Sequence, residues 1–181
     1  MFDLGPAASR MSGLVRRVSD DQLDLPTPCS DWTVAQLLHH IHQFSAVFTQ
    51  NAHKQSPQPP EQLVDDWRTA IPSQLDQLAT AWQDENAWQG KVSAGGIEMA
   101  AADNAVVAIE ELTVHGWDLA RATGQQPSAD DTDLDQVETF LTKFAADPNE
   151  GPFGPTAAVA DDASRLDRII AGTGRDPEWS A

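Results

Sequence analysis

Apolar residues recur at three- and four-residue steps along most of the chain, which is the pattern of amphipathic helices. The spacing predicts a short helix at about 166–171 and longer ones over about 3–19, 34–51, 61–86, 99–123 and 132–145. Pro72 falls inside the third pattern, where it either kinks one helix or begins a second. Lys91–Ser93 is predicted to form a short extended piece, and other strand signals are nearly absent.

Two of the predicted helices carry clear end signals. Thr33 and Gln36 form a T-x-x-Q capping box, which predicts that the second helix begins at Val34. Gly124 is placed to terminate the fourth helix. Long helices joined by modest loops predict an all-α protein with an up-and-down four-helix bundle as its core. We expect the bundle over residues 1–147, and over 148–181 a Pro/Gly-rich tail whose one short helix packs on it.

The second helix contains a cluster of three histidines, "HHIH". At about 100° per residue, His40 falls within the apolar arc of this helix, between Phe44 and Val47. His39 falls outside that arc and His42 at its edge. Periodicity therefore predicts that His40 is the buried histidine. A lone histidine on an apolar face is also consistent with a hydrogen-bonded core residue that binds nothing.

The fourth helix is apolar nearly all round, which predicts a central position in the bundle. Glu111 and His115 are four residues apart, so their side chains lie one above the other. A buried carboxylate and a buried imidazole each need a partner, and a metal ion would satisfy both. With His40 as a third ligand, the set is His/His/Glu with an open position, which is typical of reactive zinc-like sites. The alternative is a Glu–His hydrogen bond at a helix surface.

Composition excludes several classes of function. The chain has 11 Lys+Arg against 28 Asp+Glu, a net charge of −17, which disfavours nucleic acids and anionic membranes as partners. Its single cysteine allows no intrachain disulfide and gives no argument for an oxidising compartment. The N-terminus lacks a signal-peptide pattern, and no apolar run approaches the roughly 18 residues that span a bilayer. We therefore expect a cytoplasmic protein.

Two long stretches resemble the signatures of a known family. "TPCSDWTVAQLLHHI" (Thr27–Ile41) and "EELTVHGWDLARATGQ" (Glu110–Gln125) are similar to those of the DinB-like superfamily. Within it, the chain resembles the N-terminal domain of mycothiol-dependent maleylpyruvate isomerase and its short actinobacterial relatives, which are called metal-binding proteins. The tail from Asp161 to Trp179 is also similar to those relatives, whereas His53–Ala102 matches only in its helical character.

The resemblance implies a DinB-like four-helix bundle that holds a divalent metal, zinc or nickel. The metal positions of the family fall on His40, Glu111 and His115. It further implies a thiol-dependent S-transferase-like enzyme, in which a metal-bound mycothiol thiolate attacks a small electrophile. The alternative is a non-catalytic metal-binding or stress-response protein. The chain ends about where the second domain of the isomerase would begin, so isomerisation of maleylpyruvate itself is not expected.

Two further residues lie within the family signatures. Asp118 either orients a ligand histidine or forms a helix-packing salt bridge with Arg121. Cys29 precedes a helix, a position that could lower the pKa of its thiol, but it is expected to pack as a small core residue and is not counted as a ligand. The expected partners are a small-molecule thiol and an electrophile. A homodimer is conceivable, although no particular residue argues for one.

Overall fold

The computed structural model describes residues 1–29, 31–145 and 153–181, and this part of the chain contains six α-helices and one two-stranded sheet. The helices are α1 (Gly5–Arg17), α2 (Val34–Ala52), α3 (Trp67–Ala81), α4 (Ala101–Ala122), α5 (Asp131–Phe144) and α6 (Arg165–Gly172). The strands are β1 (Lys91–Ala94) and β2 (Ile97–Ala100), and two 3-10 turns cover Asp20–Gln22 and Glu85–Trp88. None of the described helices is both long enough and apolar enough to cross a membrane.

The first four helices form the bundle. Both α1 and α2 pack against α3 and α4, so that these four helices surround one apolar core. The fifth helix packs on the outer side of α4, and the sixth packs on α5. As the pattern predicted, α4 is the central helix, and 17 of its 22 residues are buried. The prediction of an all-α bundle is confirmed.

The predicted end signals are present at α2 and α4. The Gln36 backbone N–H donates to Thr33 Oγ1 over 3.4 Å, and Gln36 Oε1 accepts from the Thr33 N–H over 2.8 Å. At the end of α4, Gly124 has φ of +67°, and the N–H of Gln125 reaches back to the Ala120 carbonyl over 2.8 Å. This left-handed residue closes the last turn of α4 as expected.

The third helix is shorter than predicted. It begins at Trp67 rather than near residue 61, with Pro72 inside it, so neither a preceding helix nor a second start is present. It ends at Ala81, because Asp84 starts a new turn by accepting a hydrogen bond from the Asn86 N–H over 2.9 Å. This hydrogen bond between a side chain and the backbone competes with helical hydrogen bonding, and the spacing of apolar residues does not reveal it.

The predicted extended piece is one arm of a β-hairpin. Its partner strand β2 includes Met99, which the spacing had placed in a helix, and that prediction is wrong. Gly95 and Gly96 lie between the strands with φ of +57° and +79°, as a two-residue type I′ turn requires. The hairpin therefore delays the start of α4 to Ala101.

The C-terminal tail returns to the bundle. Its short helix α6 lies where the sequence predicted it, to within one residue at each end. Beyond α6, the Arg121 guanidinium donates to the Trp179 carbonyl over 2.6 and 2.9 Å and to the Pro177 carbonyl over 3.1 Å. The predicted boundary between residues 147 and 148 lies outside the described part of the chain.

A tight loop leads into α2. The N–H of Thr27 donates to the Trp32 carbonyl, and the N–H of Trp32 donates to the Cys29 carbonyl, each over 3.1 Å. This loop holds Asp31 at φ of +67°, the left-handed region that side chains with a Cβ rarely adopt. The strain is tolerated because the flanking hydrogen bonds fix the loop from both sides.

Substitution of Asp31 by glycine is expected to stabilise the protein by about 0.5–1 kcal/mol. The gain arises because a left-handed backbone costs roughly 1–2 kcal/mol for a residue with a Cβ, and the entropy that glycine loses on folding offsets only part of it. Urea unfolding of the wild type and of Asp31→Gly measures the difference. A loss of stability would show that the Asp31 side chain contributes more than its backbone strain costs.

Candidate metal centre

Three side chains from α2 and α4 converge on one point. Glu111 Oε2 lies 3.0 Å from His40 Nε2 and 3.2 Å from His115 Nε2. One ligand atom from each residue lies within 4.8 Å of the other two. These are the three residues that the sequence proposed as ligands, and the structure brings all of them together.

The spacing of these atoms fits a divalent ion. Bonds of about 2.0–2.1 Å to a tetrahedral ion place neighbouring ligand atoms about 3.3 Å apart. Two of the three separations, 3.0 and 3.2 Å, are close to that value, and the third is no longer than 4.8 Å, so an ion could bind here with modest movement of the side chains. The two imidazole rings lie at 80° to each other, with their centroids 4.8 Å apart.

The site is partly exposed to solvent. The side chains of His40 and Glu111 are 27% and 21% exposed, whereas His115 is buried. The prediction that His40 is buried is therefore wrong. A helical wheel gives the direction of a side chain around its helix, but not where the neighbouring elements stop covering it. The exposure leaves an accessible side from which a small molecule can approach.

Asp118 fixes the buried histidine from behind. His115 Nδ1 lies 2.9 Å from Asp118 Oδ2, so the carboxylate orients the ring and leaves Nε2 directed at the site. Arg175 holds the same carboxylate through Nε to Oδ1 over 2.7 Å and Nη2 to Oδ2 over 2.8 Å. Of the two alternatives for Asp118, the salt bridge with Arg121 is wrong, because Arg121 bonds carbonyls of the tail.

The sequence analysis missed Arg175. This residue lies 57 positions after Asp118, in the tail beyond α6, and no local pattern connects the two. The pairing forms only because the tail returns to α4. A signal was available, since a buried aspartate within an apolar helix requires a cationic partner somewhere in the chain.

The charged groups of the site hold one another in their ionised forms. Burial acts to lower the pKa of His115, but its hydrogen bonds to Asp118 and Glu111 outweigh burial and raise the pKa to about 10. Burial acts to raise the pKa of Glu111, yet the hydrogen bonds from His115 and His40 bring it below its usual range. The pKa of Asp118 is likewise lowered, because the hydrogen bond from His115 and the charge of Arg175 outweigh the effect of its burial. Without an ion, an imidazolium thus lies between two carboxylates.

Binding of a divalent ion is therefore expected to release about one proton per ion at pH 7–8, because His115 Nε2 must lose its proton to bind. Calorimetric titration of zinc in two buffers of different ionisation enthalpy counts the released protons. Binding without proton release would contradict the charge state assigned to His115.

The protonation of His115 also makes folding depend on pH. Its pKa is raised from 6.5 to about 10, so the stability that it contributes is fully present below pH 6.5 and is lost as the pH rises through about 10.

Two other ionisable residues border the site. Glu110 is buried, and burial together with the charge of Glu111 raises its pKa to about 8. Cys29 is half-buried, with its sulfur within 4.8 Å of ligand atoms of His115 and Asp118, so it lies at the site rather than in the core. Burial and the charge of Asp118 raise the pKa of the thiol, so the position of Cys29 before a helix does not lower it.

Cys29, His115 and Asp118 form a second group of possible metal ligands. This group is less suited to a cation than the first. The Arg175 guanidinium already occupies both oxygens of Asp118, and its positive charge would repel an ion placed there. The donor chemistry therefore favours the site formed by His40, Glu111 and His115.

The chain is similar to two uncharacterized proteins of Mycobacterium tuberculosis. These are MT0763 of strain CDC 1551 / Oshkosh and Rv0738 of strain H37Rv, each 28% identical over 169 residues, which cover 86% of this chain and 83% of the relative. Neither name states an activity. The similarity therefore extends over most of both chains without assigning a function.

The fold is that of two solved structures of the mycothiol-dependent maleylpyruvate isomerase. A histidine-to-alanine mutant of that enzyme superposes with a TM-score of 0.63, and a second structure of it with a TM-score of 0.60. Sequence identity is 16% in both cases, and each match covers 96% of this chain and 87% of the other. The likeness in fold thus continues beyond the four-helix bundle into the tail. Because 87% of the isomerase chain is covered, the prediction that this chain ends where a second domain of the isomerase begins is wrong.

A family model identifies the larger part of the chain. The model of the mycothiol maleylpyruvate isomerase N-terminal domain matches residues 4–120, which include α1 to α3, the hairpin and most of α4. All three converging side chains lie within that match. The DinB-like fold inferred from the two signatures agrees with this result. The chain belongs to the mycothiol maleylpyruvate isomerase N-terminal domain family.

Proposed function

We propose that this protein binds one divalent metal ion through His40, Glu111 and His115 and uses it to activate a low-molecular-weight thiol, with mycothiol as the first candidate. The observation that carries the proposal is the convergence of two Nε2 atoms on one carboxylate oxygen, at 3.0 and 3.2 Å. The name of the isomerase with the same fold adds the choice of mycothiol as the thiol. Zinc and nickel are the first ions to test.

The ligand set favours an anionic fourth ligand. Two neutral imidazoles and one carboxylate leave a divalent ion with one net positive charge. Asp118 and Arg175 neutralise each other behind His115, so they add no net charge to the site. A divalent ion held here would lower the pKa of a bound thiol and favour its nucleophilic thiolate form. Charge matching thus supports a thiol as the natural ligand.

We further propose that the protein is an S-transferase-like enzyme. The thiol loses its proton to solvent, and its sulfur then forms a new bond to a carbon of a small electrophile. With monobromobimane the carbon–bromine bond breaks and bromide leaves with the bonding electrons. With an unsaturated acid the carbon–carbon double bond opens, and the neighbouring carbon takes up a proton from solvent. The chain contributes the orientation of the ligands and the open side next to His40. The same site without turnover would be a metal-binding protein with no catalytic activity, so the two candidates differ in a measurable step.

The test begins with elemental analysis of untagged protein purified without chelator. We expect one equivalent of a divalent ion, and a change in the Co²⁺-substituted absorption spectrum when mycothiol is added. A screen of mycothiol with monobromobimane and with unsaturated acids then measures conjugation. No ion in the purified protein, and none after reconstitution, would overturn the proposal. An ion and thiol binding without any conjugation would leave only the metal-binding function.

A further inference from the structure

The ring of His115 lies near two aromatic rings and nearly parallel to both. Its centroid is 6.0 Å from that of Trp32, with an interplanar angle of 24°. The corresponding values for Phe44 are 6.5 Å and 20°. The Nδ1 atom of His115 is held by Asp118, and its Nε2 lies 3.2 Å from Glu111 Oε2.

His40 is held in a different way. Its Nε2 contacts Glu111, and in the described part of the chain no hydrogen bond to its Nδ1 is seen. Histidines that bind metals almost always donate their second N–H to a carbonyl or carboxylate, which fixes the ring. Here the same two aromatic rings contact His40 instead. The ring centroid of Trp32 is 4.9 Å from that of His40, with an interplanar angle of 56°, and the values for Phe44 are 5.5 Å and 69°.

Trp32 reaches this position from the loop before α2. The hydrogen bonds that close this loop, from the Thr27 N–H to the Trp32 carbonyl and from the Trp32 N–H to the Cys29 carbonyl, fix its backbone. Phe44 follows His40 by one helical turn on α2, so its contact with His40 is set by helix geometry. The position of the Trp32 ring therefore depends on the loop, whereas that of the Phe44 ring depends on α2.

We propose that Trp32 is a positioning residue, whose indole orients both metal-binding imidazoles and replaces the hydrogen bond that normally fixes a ligand such as His40. Trp32 acts through the two histidines rather than on a thiol or an electrophile. The inference rests on the proposed function, because the orientation matters only if an ion binds at this site.

The orientation itself can be tested without any metal. Aromatic ring currents shift the signals of protons that lie over the face of a neighbouring ring. Because the two ring centroids are 6.0 Å apart, we expect the NMR signals of the His115 ring protons in the metal-free protein to carry a ring-current contribution from Trp32 and to move in Trp32→Leu. Trp88→Leu is the control, since Trp88 is a buried tryptophan that packs against Trp82 away from the site. Equal His115 shifts in the wild type and Trp32→Leu would overturn the inference.

The consequence is tested with Co²⁺ as the probe ion. Replacement of a residue that orients a ligand typically weakens metal binding by about 10–100-fold, and we expect this for Trp32→Leu together with a changed Co²⁺ absorption spectrum. Trp32→Phe should recover most of the affinity, because it keeps an aromatic face. A purely structural role would lower the melting temperature and leave the spectrum unchanged, as we expect for Trp88→Phe.

The outcomes separate this inference from the proposed function. A wild-type protein that takes up no Co²⁺ would refute the proposed metal site and with it the positioning role, although the NMR shifts would still show whether Trp32 packs beside His115. A wild-type protein that binds Co²⁺, with the same affinity and spectrum in folded Trp32→Leu, would refute the positioning role alone.

Discussion

Substitution of His40 by alanine is expected to weaken zinc binding by more than about 100-fold, with the helix content preserved. The reason is that His40 would be one of three protein ligands, and residues that merely orient a ligand already contribute about 10–100-fold. The side chain is 27% exposed, so its loss should cost little folding free energy. Competition of the protein with a chromophoric chelator measures the affinity, and circular dichroism measures the helix content.

The neighbouring histidine provides a matched control. His39 lies on the same helix, and its Nε2 is 3.2 Å from the Pro60 carbonyl rather than at the site. His39→Ala should therefore bind zinc like the wild type. Full metal occupancy in His40→Ala would refute the ligand assignment. Glu111→Gln removes charge at nearly constant shape and should weaken binding as well, so an unchanged affinity would show that Glu111 does not contact the ion.

Substitution of Arg175 by methionine is expected to lower the free energy of unfolding by about 3–5 kcal/mol. Asp118 is 0% exposed and Arg175 is 9% exposed, so the change leaves a buried carboxylate without its cationic partner. Urea unfolding of the metal-free protein measures the loss. Because Asp118 also orients His115, the same variant should bind zinc about 10–100-fold more weakly.

Arg165 is the matched control for Arg175. It also comes from the tail and also contacts carboxylates, Asp135 at 2.6 Å and Glu138 at 2.7 Å, but these partners are largely exposed. Exposed pairs contribute about 0–1 kcal/mol, so Arg165→Met should change stability by no more than that. Equal losses for both variants would contradict the account of a buried pair. In the double variant Arg175→Met/Asp118→Asn, part of the lost stability should return.

Local patterns in the sequence determined the helices and some of their ends. Apolar spacing located α1, α2, α4, α5 and α6 to within a few residues, and the capping box predicted the first residue of α2. These features depend on residues within one or two helical turns of each other, so the sequence displays them directly. The second strand of the hairpin and the early end of α3 were missed, because a glycine pair and an aspartate cap overrode the apolar pattern there.

For the candidate site, too, local sequence patterns predicted one part and the packing of the helices determined the rest. The sequence placed Glu111 and His115 on one face of α4, because residues four apart on a helix are neighbours. His40 was proposed as the third ligand from its position on the apolar arc of its helix and from the resemblance to a family. The contact itself, between residues 71 positions apart, depends on the packing of α2 against α4.

Only the tertiary structure decided how far His40 is exposed, how the tail brings Arg175 to Asp118, and how the Trp32 ring comes to lie beside His115. Each of these features joins segments that are distant in the chain. Periodicity fixes the direction of a side chain around its own helix, whereas depth and long-range partners depend on how separate elements pack, which no local pattern in the sequence encodes.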